Sequence, residues 1–373
     1  MTDLSKQADT LGYPAFVPSR SDGRRYLHNQ RLGRVLVKDQ KRVSTRYLYY
    51  LMCCKWYRDE ILASATGTTV KHTSPERIKR FRFQLPPLDQ QRAIAHILGT
   101  IDDKIELNRR MNETLESIAR AIFKSWFVDY CPVRAKADGR QPAGMDAETA
   151  ALFPNSFEDS PMGKIPRGWH IGSVSELCTS IENGGTPSRK IADYWHEGII
   201  DWFKTGELTD GPLIHSDERI TEKGLSESSC KLWEPGTVLV ALYASPTVGR
   251  LGLLDARATA NQACSALVAK PEYGNLLIFY SLMFTRDVLQ NIAVGAAQQN
   301  ISQKVVREHP VLVPGKDIAG RFQKRAEPLH RDMSSNLVQN LTLVGIRDTF
   351  LPKLISGEIR VKGAEKLVEE HAG

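Results

Sequence analysis

Three polar loops in the second half of the chain carry side chains with paired donors and acceptors, the chemistry needed to read base edges in a duplex groove. The first is Gly184-Gly185-Thr186-Pro187-Ser188-Arg189, followed by Lys190. Its glycines would let backbone approach phosphate closely, with Thr186 and Ser188 as hydroxyl partners. The second, Lys204, Thr205 and Glu207, follows Trp202 at an expected strand end, and Glu207 could accept from a cytosine amino group. The third, Gln298-Gln299-Asn300 with Ser302, offers amides suited to adenine. A solvated polar loop is the competing reading for each. Asn261-Gln262 sits in a strand context, where closing a turn is an equally good use for it.

In the first half the corresponding loop is Thr68-Thr69-Val70-Lys71-His72, with Ser74 beyond it. Upstream, Arg20, Arg24 and His28 could reach a phosphate or a guanine. These belong to a basic run in which Arg20, Arg24, Arg25, Arg31, Arg34, Lys38, Lys41, Arg42 and Arg46 face only Asp22 and Asp39. Clustered cations point to a polyanionic partner. The whole-chain charge of +7 over 373 residues is mild, so the distribution carries that argument.

No catalytic or metal chemistry emerges. GxGxxG and HExxH are absent, and His170, His196 and His215 are scattered without ligand spacing. The six cysteines form no CxxC pair and read as reduced thiols of a cytoplasmic protein. No apolar run reaches the eighteen or so residues of a membrane span, and the first ten residues carry no apolar signal core.

The elements that must hold these loops form an internal repeat. A shift of 228 positions places Arg58-Asp59 on Arg286-Asp287, Gly67 on Gly295, Ser74 on Ser302 and Pro86 on Pro314. With four further residues upstream, Asn29-Gln30 meets Asn261-Gln262 and Lys38 meets Lys270. Each copy is expected to run strand, apolar helix, polar loop, short strand, proline, long helix. Ahead of the second copy stand residues 165–258, of strand-and-turn character, with 236–255 the clearest strand pair; ahead of the first stand only residues 1–26. The first unit is therefore expected to be incomplete.

Both long helices carry a heptad seam. In the first, from about Asp89 to Phe127 and roughly 60 Å long, it runs Ile94, Leu98, Ile101, Ile105, Asn108, Asn112, Leu115, Ala119, Ile122 and Trp126. In the second it runs Phe322, Leu329, Met333, Asn336, Asn340, Val344 and Phe350, with a kink expected at Pro328. Two matching seams predict an antiparallel intramolecular pair, with the asparagines fixing register; the competing reading is two amphipathic helices packed separately on their own domains.

The stretch LPPLDQQRAIAHILGTIDDKIELNRRMNETLESIARAIFKSWFVD resembles the central conserved region of specificity subunits of type I restriction-modification systems. IPRGWHIGSVSELC, GGTPSRKIADYW, TANQACSALV and FLPKLISGEI likewise resemble a target recognition domain and its distal conserved helix, so the likeness covers about residues 27–358. It implies an α+β fold of two α/β target recognition domains, the first incomplete, separated by two long antiparallel coiled-coil helices. The expected boundaries are 1–87 for the partial first domain, 88–130 for the central helix and 131–164 for a linker with one short helix. The second domain then spans 165–315, the distal helix 316–358 and a tail 359–373.

The function so implied is non-catalytic recognition of a bipartite sequence in double-stranded DNA. The helices would dock methyltransferase subunits, and the restriction subunit would join through the complex. S-adenosylmethionine, ATP and Mg would belong to those partner subunits. The chain carries no NPPF- or DPPY-type tetrapeptide, no glycine-rich SAM loop and no helicase P-loop, since Leu85 precedes Pro86-Pro87. Two alternatives stand beside this reading: a truncated coiled-coil scaffold, and a half-specificity subunit that self-associates to recognise a symmetric site.

Overall fold

The computed structural model describes residues 2–3, 11–17, 23, 26–27, 29, 31–67, 71–161, 163–243, 247–294 and 300–361. Helix and sheet are mixed, and the chain divides into two compact units: residues 1–108 with 339–373, and residues 109–338. Two long helices, Leu88–Phe123 and Lys316–Ser356, contribute to both. The first continues as one π-helical turn, Lys124–Val128, and stops where Tyr130 takes a left-handed conformation (φ 55°). The second runs unbroken through Pro328, which is exposed, so the carbonyl that loses its helical donor faces water.

The repeat is realised as geometry. Helices Pro75–Arg80 and Gln303–Glu308 begin and end 228 positions apart, as do the starts of the long helices. Ser74 accepts from Arg77 N–H (3.4 Å) and Ser302 from Val305 N–H (3.3 Å), the same cap used twice. Each copy also has a helix pair ahead of that cap, Thr45–Cys53 with Lys55–Ala63 and Asn275–Phe284 with Arg286–Val294.

In the first unit Tyr47, Leu51, Tyr57 and Ile61 pack on Ile94, Leu98 and Leu354 of the long helices. Gln91 is wholly buried and ties two backbone segments to its helix: its amide donates to Arg42 O and Pro86 O, and its carbonyl accepts from Ser44 N–H. The strand expected over residues 29–38 does not form among the described residues. Its counterpart, Cys264–Ala269, exists because strands lie on both its sides, and a strand with no ladder has nothing to hold it extended.

The second unit is built on a five-stranded sheet in the order Cys178–Asn183, Cys264–Ala269, Val238–Ala241, Leu251–Leu254, Gly211–Leu213. All its pairs are antiparallel except the last. A three-stranded sheet, Thr259–Ala260, Ile200–Phe203 and Arg219–Ile220, and the pair Pro310–Val313 with His170–Ser173 complete it. The span 131–164, expected as a linker, is folded. It forms helices Cys131–Ala137 and Ala147–Leu152 and leads into a hairpin, Phe157–Ser160 with Gly163–Pro166. Val133 and Phe153 anchor it in the core beside Trp126 and Trp169, so its proline and glycine content marks turns between packed pieces.

The seam pairs the helices antiparallel within each unit. Asn108, fully buried, donates to Gln339 Oε1 (2.7 Å) and Asn340 Oδ1 (2.9 Å), while Arg347 donates to Asp102 (3.1 Å). In the second unit Asn336 donates to Asn112 Oδ1 (2.8 Å), and Asn112 to Met333 O (3.1 Å). Ile94, Leu98 and Ile101 are buried, whereas Ile105, Leu115 and Ile122 are partly so.

The half-buried Asn112–Asn336 pair and the buried His330 each carry a testable consequence. Asn112→Leu alone orphans the Asn336 amide and should lower stability by about 1–2 kcal/mol; adding Asn336→Leu should restore it, at the cost of register control, read by urea denaturation and light scattering. His330 is 5 % exposed against Phe279 and hydrogen-bonded to Tyr280 Oη (2.7 Å), and burial depresses its pKa from 6.5 to about 4. Below pH 6.5 the unfolded chain binds this proton and the folded one does not, so stability is lost as pH falls from 6.5 towards 4. Between pH 7 and 5 the loss should be about 2 kcal/mol, and His330→Leu should flatten that part of the urea-midpoint profile.

Candidate nucleic-acid interface

Three of the sequence-selected segments meet at one end of the second unit's strands. The glycine loop leaves strand Cys178–Asn183, the 204–207 turn leaves Ile200–Phe203, and the Asn261-Gln262 turn enters Cys264–Ala269. Backbone hydrogen bonds bind them: Gly184 N–H to Cys264 O (3.0 Å), Gly185 N–H to Ala260 O (2.9 Å) and Asn261 N–H to Phe203 O (2.9 Å). Above the backbone, Thr186 Oγ1 donates to Gln262 Oε1.

The glycines serve packing. A Cβ on Gly184 would lie 2.2 Å from both the Ala260 and Asn261 carbonyl oxygens, and one on Gly185 would lie 2.6 Å from Ser229 backbone carbon. Both N–H groups are already engaged, so the expected backbone cradle for phosphate is not formed by Gly184 and Gly185. Thr186 is partly buried, and Ser188 and Lys190 are exposed on the same loop.

Charge on this face is held in a network. Arg189 lies over the Trp195 ring (3.6 Å to its centroid) and near Trp202 (5.0 Å), and pairs with Glu218. Glu218 also accepts from Lys204 Nζ (2.9 Å). Donation from Arg189, then from Lys204, holds the Glu218 carboxyl below its usual range, and the same contact raises the Lys204 ammonium. Glu207 caps its own turn, accepting from Lys204 N–H (2.8 Å) and Asp217 N–H (2.9 Å), with Thr205 partly buried between. Its carboxylate is thus first a structural acceptor. Beside this network Asp201 accepts from Ser216 N–H (3.0 Å) and Arg219 Nε (3.1 Å).

Of the amide loop, Asn300 and Ser302 are described. Ile301 N–H donates to Leu242 O (2.9 Å) and Leu242 N–H to Ala263 O (2.8 Å), one strand from Gln262. Ser302 is occupied as a helix cap. In the first unit Lys71–His72 pairs with Thr2–Asp3, and Arg77 donates to Thr66 Oγ1 (3.3 Å) and His72 O (3.5 Å). Arg20, Arg24, His28, Thr68, Thr69, Gln298 and Gln299 lie outside the described residues.

Glu218 escaped the sequence reading, because partners 29 positions apart leave no local spacing signal. Cys54, Cys178 and Cys264 are buried, and burial pushes each thiol up to about 12, far from nucleophile chemistry. Among the described residues no cluster of three metal-ligating side chains occurs, and no helix is long and apolar enough to cross a membrane.

The family model for the type I restriction modification DNA specificity domain matches residues 10–117 and 166–327, thus both copies of the repeat. The chain belongs to the type I restriction-modification DNA specificity family. It is 26 % identical over 342 residues to the type I restriction enzyme HindI specificity subunit of Haemophilus influenzae, covering 80 % of this chain and 74 % of that one. The MjaIX specificity subunit of Methanocaldococcus jannaschii is 24 % identical over 340 residues, with 90 % and 73 % covered. The fold is similar to a crystal structure of a type I restriction-modification S subunit from M. genitalium, at a TM-score of 0.56 and 17 % identity over 85 % of this chain and 74 % of that one.

The geometry makes a separable claim about the glycine loop. Gly184→Ala should cost about 2 kcal/mol or more and lower the melting temperature, because two backbone oxygens stand where the methyl must go. Unchanged melting with lost DNA binding would return the glycine to a ligand-contact role.

Proposed function

We propose that this chain is the non-catalytic sequence-reading subunit of a type I restriction-modification complex, with its long helices as docking surfaces for methyltransferase subunits. The observation that carries the reading is the family domain matched twice, once on each copy of a repeat that ends in a long helix. A protein with two such copies suits a bipartite target in double-stranded DNA. In the second unit the reading surface would be Thr186, Ser188 and Gln262 with Lys204, Thr205, Glu207 and the 298–302 loop. In the first it would be Lys71, His72, Thr68 and Thr69 with Arg20, Arg24 and His28. The restriction subunit would join through the assembled complex.

The electrostatics support a division of labour. Arg189 and Lys204 share the one carboxylate of Glu218, so half of their combined charge is compensated within the protein. Bound alone, the chain should grip duplex DNA weakly and with strong salt sensitivity; with the methyltransferase it should select one sequence from a randomised duplex library. Selection of no motif by that complex would defeat the reading. Glu218→Gln should raise affinity for all sequences and steepen the salt slope by about one to two ions, measured by anisotropy across a salt series.

A further inference from the structure

Both copies of the repeat use the dipeptide Asn-Gln to build one turn. In the second copy Asn261 Oδ1 accepts from Ala263 N–H (3.1 Å) and Asn261 O from Cys264 N–H (3.0 Å). In the first copy Asn29 Oδ1 accepts from Arg31 N–H (3.0 Å) and Asn29 O from Leu32 N–H (3.1 Å). The asparagine side chain closes each turn on its own backbone. The first copy forms it where no strand ladder is present among the described residues, so the turn is encoded locally and strand packing does not impose it. The residue after each asparagine is a glutamine: Gln262 in the second copy and, by sequence, Gln30 in the first, which lies outside the described residues.

Asn261 therefore folds the turn, and Gln262 is left for another task. Gln262 is exposed, and its Oε1 accepts from Thr186 Oγ1. That bond fixes the amide: the oxygen faces the Thr186 loop, and no hydrogen bond joins Nε2 to another described residue. The backbones on both sides of the bond are held, Gly185 N–H by Ala260 O (2.9 Å) and Asn261 N–H by Phe203 O (2.9 Å). A neutral, exposed and oriented pair of N–H donors suits a ligand atom that only accepts. On duplex DNA such atoms are phosphate oxygens and base acceptors such as guanine O6 and N7. The repeat decides between them. The loops suited to base readout differ between copies, with Gln298-Gln299-Asn300 standing where the first copy has Val70-Lys71-His72, whereas the Asn-Gln turn is kept. A device kept while its neighbours change suits what any two half-sites share, the phosphodiester backbone.

We propose that Gln262 is a phosphate anchor: its amide, oriented by Thr186, donates from Nε2 to one phosphate oxygen of the duplex and sets the register in which the neighbouring loops meet the bases. Thr186 is its positioning residue. The inference rests on the DNA-recognition reading above and gives Gln262 no part in discriminating one base from another.

The test uses the full chain assembled with methyltransferase subunits, the duplex that this complex selects and a scrambled duplex. Phosphate-ethylation interference should mark one phosphate that Gln262→Ala erases from the footprint. Anisotropy should show affinity about tenfold lower for both duplexes alike. The slope of log affinity against log salt should stay the same, because a neutral amide displaces no counterion. Gln262→Glu, of equal size, should lose more than Gln262→Ala, since a carboxylate repels the phosphate that the amide binds. The melting temperature of Gln262→Ala should be unchanged, its side chain being exposed. Relaxed selection at one base pair in Gln262→Ala would make this residue a base reader, and an unchanged footprint with unchanged affinity would leave it no DNA role; either result overturns the proposal. A wild-type complex that selects no sequence at all overturns the recognition reading and this inference with it.

Discussion

A carboxamide buried between two helices must find a partner of matched geometry, and that requirement organises each unit. Asn108 is fully buried, and sliding its helix by one residue would separate it from Gln339 and Asn340 at once. An apolar seam tolerates such slippage, because leucine against leucine is nearly as good one heptad away; amides do not. Asn112 with Asn336 applies the same constraint in the second unit.

The loops of the second unit inherit their positions from strand pairing. Gly184 and Gly185 sit where two backbones nearly touch, which brings Thr186 to Gln262 although 76 positions separate them. On this account the polar face is precise because its supports are dry and rigid. Trp202 is buried and donates from its ring to Gly185 O (2.8 Å), joining the strand beneath to the loop above.

Local and periodic features were legible in the sequence: the long helices, the asparagine register, the strand pair around residues 236–255 and the repeat that predicts equal helix starts. What failed was non-local. Residues 29–38 have strand character, yet a strand exists only where a neighbour completes its ladder, and no local pattern reports that. Residues 131–164 read as a linker by composition, while Val133 and Phe153 decide the matter by reaching the core. The glycine loop is a site of close backbone approach, and the approach seen is to Ala260 and Asn261. Of the proposed DNA-contact residues, chemistry could select the polar loops and could not show that Glu218 ties two of their cations together.

That tie bears on how such a surface would discriminate. A cation free in solution attracts every phosphate equally, so a surface rich in free cations binds tightly and selects poorly. Arg189 is held flat on Trp195 and paired to Glu218, and Lys204 shares the same carboxylate. Both cations have therefore lost much of their unspecific attraction while keeping fixed positions. A ligand that engages them must offer acceptors good enough to compete with Glu218 at the places where the guanidinium and ammonium already stand. Only a matching arrangement would gain from that exchange, and under the proposed function the internal ion pair would then act as a filter on sequence rather than a simple loss of charge.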